Sequence, residues 1–254
     1  MPNVSDQNLH WLLKDKYGWD AQKIAGAQTF PSEIQKDIQR LEAGEPLQYV
    51  IGWVNFLGCR IDLSYKPLIP RPETEFWTEK FIASHKKMNA LEILDLCCGS
   101  GCIGIAVLRH LPNMQLDFAD ISARAIEQTT KNIDLNTIAK SQYRIFRSNL
   151  FEKISGRYDA ILCNPPYVDP DGEVSAELLY EPTESLFAQN HGLGLIEKII
   201  SEMENHLKPD GEMWLEFGKG QEKAVEEFCR KLGRNAHIEQ DQYGINRFAI
   251  MLSH

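Results

Sequence analysis

The chain is expected to fold as an α/β protein, with a mostly parallel sheet covered by helices on both faces and a small helical domain ahead of it. Three observations predict this. From residue 91 onward, short apolar runs of strand length alternate with segments of helical periodicity, the order that produces parallel strands joined by helical crossovers. The first of these strands runs directly into a glycine-rich segment, Asp95-Leu96-Cys97-Cys98-Gly99-Ser100-Gly101-Cys102-Ile103-Gly104. The chain also closes on two consecutive strand patterns with a short return, which makes an antiparallel pair.

Residues 1–46 read as the small helical domain, with helical patterns over 6–17, 20–27 and 32–43 punctuated by Pro31 and Gly44. Leu9, Leu12 and Leu13, then Ile34, Ile38 and Leu41, recur at helical spacing and are expected to pack together. Residues 47–70 read as a hairpin linker, because 48–63 is rich in Tyr, Val, Ile, Trp and Phe with Gly52 and Gly58 interspersed. The main domain, 71–254, follows. Pro67, Pro70 and Pro72 stiffen the approach to a helix over 73–84. Next come strand 92–96, helix 103–111, strand 115–119, helix 123–135, and strands 143–147 and 158–163. After a long loop, 168–191, the pattern predicts helix 193–206, a Lys208-Pro209-Asp210-Gly211 turn and strand 212–217. It ends with helix 221–232 and strands 237–240 and 247–252.

A length of 254 residues, 43% hydrophobic and 25% charged, suits one sizeable domain plus an appendage. The net charge of -9 disfavours broad capture of phosphate backbones, which rests on Lys and Arg displacing counterions. A protein or small-molecule substrate is expected, with no direct nucleic-acid contact. Six cysteines at 59, 97, 98, 102, 163 and 229, with no apolar leader and no long apolar run, suggest reduced thiols, no membrane segment and a cytoplasmic location. Cys97, Cys98, Cys102 and Cys163 contain no C-x-x-C pair and have no histidine at ligand spacing, so no metal site is expected.

Two motifs carry chemistry. In the first, glycines between strand and helix allow a tight turn and close backbone approach to a ligand. Gly99-Ser100-Gly101-Cys102-Ile103-Gly104 satisfies G-x-G-x-x-G, and Asp120 ends the second strand about twenty residues on, where an acid can hold ribose hydroxyls. A dinucleotide oxidoreductase and an adenosyl-cofactor enzyme both want these features. The second motif is Asn164-Pro165-Pro166-Tyr167, directly after the strand 158–163. It sets an amide, two carbonyls and an aromatic ring at a strand end. The prolines lack N–H groups and cannot continue a ladder, so their neighbourhood is free to accept hydrogen bonds from a substrate NH2. Hydride transfer has no use for such a cluster.

The combination of residues 95–104, Asp120 and residues 164–167 resembles the class I methyltransferases that use S-adenosylmethionine to alkylate a planar nitrogen. Within that group, four more segments resemble the HemK/PrmC family, which methylates the glutamine of the Gly-Gly-Gln motif in class I peptide chain release factors. They are Leu68-Ile69-Pro70-Arg71-Pro72-Glu73-Thr74-Glu75, Glu181-Pro182, Glu216-Phe217-Gly218 and Asn246-Arg247. The resemblance runs from about residue 45 to the end. It implies a class I S-adenosylmethionine-dependent methyltransferase fold, Rossmann-like, with a seven-stranded sheet whose last strand is antiparallel. It also implies a partner-binding helical domain, a catalytic domain, a release factor as protein substrate and S-adenosylhomocysteine as product. A monomer is expected. Other readings are an adenine-N6 or guanine-N2 nucleic-acid methyltransferase, or a non-catalytic adaptor that retains the cofactor fold.

By the same resemblance, Asn164 and Pro165 would accept the two N–H bonds of the reacting amide and Tyr167 would pack over its plane. Pro166 and Arg71 would complete the substrate side. The cofactor would be held by Asp95, Cys97, Cys98, Gly99, Ser100, Gly101, Asp120, Asn149, Leu150 and Asn164. Cys97 stands where the family usually has glycine, which requires either a φ compatible with a side chain or a shifted loop. Asn149 replaces the usual aspartate. Arg71 and Glu75 have the spacing of an i,i+4 surface pair.

Overall fold

The computed structural model describes residues 4–172 and 176–253. Four short helices open the chain: α1 Asp6–Trp11, continued by a π-helical turn over Leu12–Lys16, then α2 Ala21–Gly26, α3 Ser32–Glu42 and α4 Leu47–Ile51. Ser5 Oγ accepts from Asn8 N at 3.2 Å and Asp20 Oδ1 from Lys23 N at 2.8 Å, so two of these helices start on side-chain caps. Leu12, Leu13, Ile34, Ile38 and Val50 are buried together, with Leu9 and Leu41 against them.

The hairpin is shorter than the composition of 48–63 predicts. Only β1 Trp53–Phe56 and β2 Cys59–Asp62 pair, antiparallel. The preceding Gln48, Tyr49, Val50 and Ile51 are helical, with Pro46 before the first turn and Gly52 at φ 93° closing it. Proline at a helix start and a left-handed glycine at its end outweigh the β-branched composition. Helical geometry also sends Val50 into the N-terminal core and Tyr49 into the main one, where its hydroxyl donates to Pro67 O at 2.6 Å. Helix α4 therefore ties together the segments expected as helical domain and linker.

After α5 Pro72–His85, seven strands form the main sheet: β3 Glu92–Leu96, β4 Gln115–Asp120, β5 Tyr143–Arg147, β6 Tyr158–Cys163, β7 Leu207–Glu216, β8 His237–Gln240 and β9 Asn246–Leu252. Their order is β5-β4-β3-β6-β7-β9-β8. The first five in that order are parallel, and β9 is antiparallel to both its neighbours. The helices between them are α6 Cys102–His110, α7 Ala123–Leu135, α8 Thr183–Leu186, α9 Gly194–Glu202 and α10 Glu222–Lys231. Ile93 and Phe118 share a core with Trp77 of α5, Val107 of α6 and Ile133 of α7. Leu94 and Ala119 face the opposite core, with Ile199 of α9 and Val225 of α10. Both faces of β3, β4 and β6 are covered, which is why these strands are mostly apolar along their length.

Two further expectations are corrected. Residues 208–211 are not a turn ahead of the strand: they lie within β7, which is irregular there, since Tyr158 pairs with Leu207 and Ala160 already pairs with Glu212. The loop 168–191 carries short structure of its own, a 3-10 turn Ala176–Tyr180, helix α8 and a bridge between Val168 and Phe187; residues 173–175 of this loop lie outside the described residues. Among the described residues no helix is long and apolar enough to cross a membrane.

From β3 the chain moves outward through β4 to β5, whereas β6 and β7 lie on its other side. Leu96 is in register with both Ala119 and Cys163. The carboxyl ends of three strands thus finish level at the place where strand order reverses, which is where open α/β sheets hold ligands.

Candidate active site

A cavity of about 350 Å³ opens over those strand ends. Its wall takes Cys97, Cys98, Gly99 and Ser100 from the loop after β3, Asp120 and Ile121 from the end of β4, Asn149 and Leu150 from the segment after β5, and Asn164 and Pro166 from that after β6. Leu68 and Pro70 close it from the approach to α5, and Thr74 from the first turn of that helix.

The loop geometry follows from its residues. Cys97, Gly99 and Gly101 all have positive φ, at 61°, 55° and 78°. Cys97 therefore occupies the left-handed conformation that favours glycine, and a side chain is held in a glycine-like turn. Gly104 serves closeness instead, since a Cβ there would lie 2.4 Å from Phe118 Cε1. Its N–H donates to Asp95 Oδ2 at 2.9 Å. Asp95 is 0% exposed and lies under the loop, outside the cavity wall. Burial pushes its carboxyl up to about 7 against the Gly104 hydrogen bond, and its Oδ1 has no hydrogen-bond partner.

Asp120 accepts from Gly99 N at 3.0 Å on Oδ2 and from Ser122 N at 2.8 Å on Oδ1. Burial raises its pKa, and these backbone donors oppose the shift. Each oxygen keeps capacity for another donor, so vicinal hydroxyls can be held here. Asn149 Nδ2 donates to Glu152 Oε1 at 2.7 Å, which turns the oxygen end of that amide away from Glu152. Leu150, at φ 48°, adds an apolar surface beside it.

Asn164 donates from Nδ2 to Thr74 Oγ1 at 3.1 Å, and Thr74 Oγ1 donates to Glu216 Oε2 at 2.7 Å. Trp77 Nε1 reaches the same oxygen at 2.7 Å, and Tyr167 OH donates to Glu216 Oε1 at 2.9 Å. Burial pushes the Glu216 carboxyl upward, while these three hydrogen bonds and the nearby Arg247 charge act downward. Burial and Glu216 together raise the Tyr167 phenol well above its ordinary value. The main chain of Tyr167 is pinned as well: its carbonyl accepts from Gln221 Nε2 at 3.0 Å, and a Cβ on Gly192 would collide with it at 2.1 Å.

Of the residues expected at the site, Asp95, Gly101, Pro165, Tyr167 and Arg71 lie outside the cavity wall. Arg71 does not pair with Glu75. Its Nη2 meets Glu181 Oε1 at 2.6 Å, and Glu181 Oε2 accepts from Ile69 N at 2.9 Å, which straps the proline-rich approach to the loop after β6. Glu75 instead accepts from Leu57 N at 2.6 Å. Thr74 and Glu216 were not expected at the site. Both fall in the quoted motifs, and the spacing of Thr74 and Trp77 sets them on one helix face. Leu215 pairs with Cys163, so Glu216 ends its strand beside Asn164. Among the described residues no group of His, Cys, Asp or Glu could hold a metal ion.

The model of the methyltransferase small domain family matches residues 77–245. A crystal structure of a methyltransferase from Pyrococcus furiosus matches with a TM-score of 0.59, covering 87% of this chain and 98% of that one at 16% identity. The sheet order, the glycine loop and the cavity at the switch point define a class I methyltransferase. The release factor glutamine methyltransferase of Lactococcus lactis subsp. lactis (strain IL1403) is 36% identical over 253 residues, covering 95% of this chain and 89% of its own. Its counterpart in Streptococcus pneumoniae (strain ATCC BAA-255 / R6) is 35% identical over 226 residues, covering 86% of this chain and 78% of its own. The chain belongs to the release factor glutamine methyltransferase family.

Proposed function

We propose that this enzyme transfers a methyl group from S-adenosylmethionine to the side-chain amide nitrogen of the glutamine in the Gly-Gly-Gln motif of class I release factors, in the cytoplasm. The observation that carries the reading is that Asn164 and Pro166 share one cavity wall with Gly99 and Asp120, so a nucleoside acid and an amide acceptor serve the same space. The wall fits the cofactor: Asp120 has free acceptor capacity for ribose hydroxyls, Leu150 and Asn149 offer an apolar face and a polar edge for a base, and the left-handed loop brings backbone close. When bound, S-adenosylmethionine supplies a methyl group activated by its sulfonium and leaves as S-adenosylhomocysteine.

The work of the chain is positioning. A glutamine nitrogen is a weak nucleophile because its lone pair is delocalised into the carbonyl. Asn164 Oδ1, on the cavity wall, and the carbonyl of the adjoining Pro165, just outside it, would accept its two N–H bonds and so fix the nitrogen for transfer. Such fixing of reactants supplies about 7 to 11 kcal/mol in favourable cases. No strong base is required, because the nitrogen becomes acidic only once it carries the methyl group, and the proton then passes to water. Asp95, outside the cavity wall, supports the loop through the Gly104 N–H that its Oδ2 accepts.

The test is transfer of labelled methyl to a purified class I release factor, beside its Gln-to-Ala variant and beside total RNA and DNA. Label on the wild-type factor alone supports the reading, and label on nucleic acid overturns it. Asn164→Ala is expected to lose methylation, by about 10²-fold or more, while keeping its affinity for S-adenosylmethionine. Near-wild-type turnover in that variant would sink the positioning argument.

A further inference from the structure

The hydrogen bonds around Glu216 run in one direction. An indole N–H can only donate, so the oxygen it meets, Glu216 Oε2, is an acceptor. The Thr74 hydroxyl has a single hydrogen, and it is spent on that same carboxylate at 2.7 Å. Toward Asn164, at 3.1 Å, Thr74 can then only accept. The end of the Asn164 amide that faces Thr74 must therefore be the NH2, and the oxygen is left for the other side. Amide ends are ordinarily assigned from the surrounding network; here a chain of committed donors fixes the assignment before any substrate arrives. Thr74, Trp77 and Glu216 are all essentially buried, at 1%, 0% and 0% exposure, so water cannot readily substitute for a member.

We infer that Thr74, held by Glu216, is a positioning residue that locks Asn164 with its oxygen toward the reacting nitrogen and so makes Asn164 an obligate acceptor. The inference rests on the proposed methyl transfer to an amide NH2. An unlocked asparagine could present either end, and its NH2 end would set donor against donor. Glu216 also holds Tyr167 by its other oxygen, at 2.9 Å. One buried carboxylate thus fixes both ends of the Asn164-to-Tyr167 segment, and the acceptor array is preorganised on α5 and β7, not on the loop itself.

The experiment compares Thr74→Val, Thr74→Ala and Thr74→Ser with wild type for kcat and KM on a purified class I release factor, Kd for S-adenosylmethionine, and Tm. The Val and Ala variants are expected to lose about 10²-fold in kcat, with KM and Kd within about threefold of wild type. The Ser variant recovers to within about tenfold, because it retains the hydroxyl. Activity then follows the hydroxyl and not side-chain volume, since Val matches Thr in shape and Ala does not. Wild-type turnover in Thr74→Val overturns the inference, as does a Ser variant no better than Ala; should Val fail to fold, the Ala and Ser pair decides. The orientation is also read without activity, from solvent exchange of the Asn164 side-chain NH2 in the ligand-free protein. Slow exchange in wild type and Ser with fast exchange in Val supports the lock, and fast exchange in wild type overturns it. If wild type leaves the release factor unlabelled, the proposed substrate fails, and the exchange measurement still decides this inference.

Discussion

Gly104→Ala is the sharpest test of how the cofactor loop is built. A Cβ at this position would lie 2.4 Å from Phe118 Cε1 and 2.8 Å from Leu116 Cδ2, against a resting separation of roughly 3.5–4.0 Å between carbons. The ring must retreat by about 1 Å, yet Phe118 is 0% exposed and belongs to β4, which is paired on both edges. Overpacking of this kind costs about 1–3 kcal/mol. The same change gains about 1 kcal/mol of helix propensity, so a net loss of up to about 2 kcal/mol is expected. At roughly 2–4 °C per kcal/mol for a domain of this size, Tm falls by up to about 8 °C. Because the Gly104 N–H holds Asp95, moving α6 also disturbs the loop, and affinity for S-adenosylmethionine falls with stability. The control is Gly26→Ala, the same chemical change in a helix with nothing within 4 Å; it is expected to be neutral or stabilising by a few tenths of a kcal/mol. Thermal denaturation and cofactor titration of both variants give the answer. A Gly104→Ala protein more stable than wild type would refute the argument that glycine is required there for closeness.

Two more outcomes follow from the loop. Cys97 sits at φ 61°, where a Cβ costs about 1–2 kcal/mol, so Cys97→Gly is expected to exceed Cys97→Ala in stability by about 1 kcal/mol after glycine's entropic cost; equal or reversed stabilities in urea would mean that the turn is not strained. Asp95 is ionised in the unfolded chain above its ordinary value of 3.8 but in the folded protein only above about 7. Between those values the folded state retains a proton that the unfolded state has shed, so the contribution of Asp95 to stability is present below about 4 and lost as pH rises to about 7. Without cofactor, wild type should lose stability relative to Asp95→Asn across that window, by up to about 1.4 kcal/mol per pH unit, and a constant gap in denaturation experiments would contradict the buried carboxyl.

How much of this was legible in the sequence depended on whether the deciding physics was local. The bounds of β3, β5, β6 and α7 are those the patterns predict, because a buried strand such as β3 or β6, and a helix entered from a polar residue, leave their marks within a few residues. Helix α4 was only half legible: Pro46 and Gly52 mark its ends locally, but its composition favours a strand, and the packing that supports the helix, with Tyr49 and Val50 divided between two cores, is non-local. Pro209 and Gly211 read as a turn because they do break regular pairing, but the strand on either side continues past them.

The site divides in the same way. The glycine loop, Asp120 and Asn164 could be read because each is a residue type placed at the end of a strand, where topology alone delivers it to the cavity. Arg71 could not, since its partner Glu181 lies 110 residues further along the chain and the closer Glu75 is an equally good match by spacing. Glu216 is the limiting case. A carboxylate at the end of a strand is ordinarily solvated, and nothing in its own neighbourhood announces three donors arriving from Thr74, Trp77 and Tyr167. Burying it unpaired would be costly, so the tryptophan and the threonine of α5 are what make Glu216 tolerable. In turn, Glu216 gives the Asn164 amide its direction. Stability and chemistry are therefore met here by one hydrogen-bonded unit, whose parts become recognisable as a site only when α5, β6 and β7 are brought together.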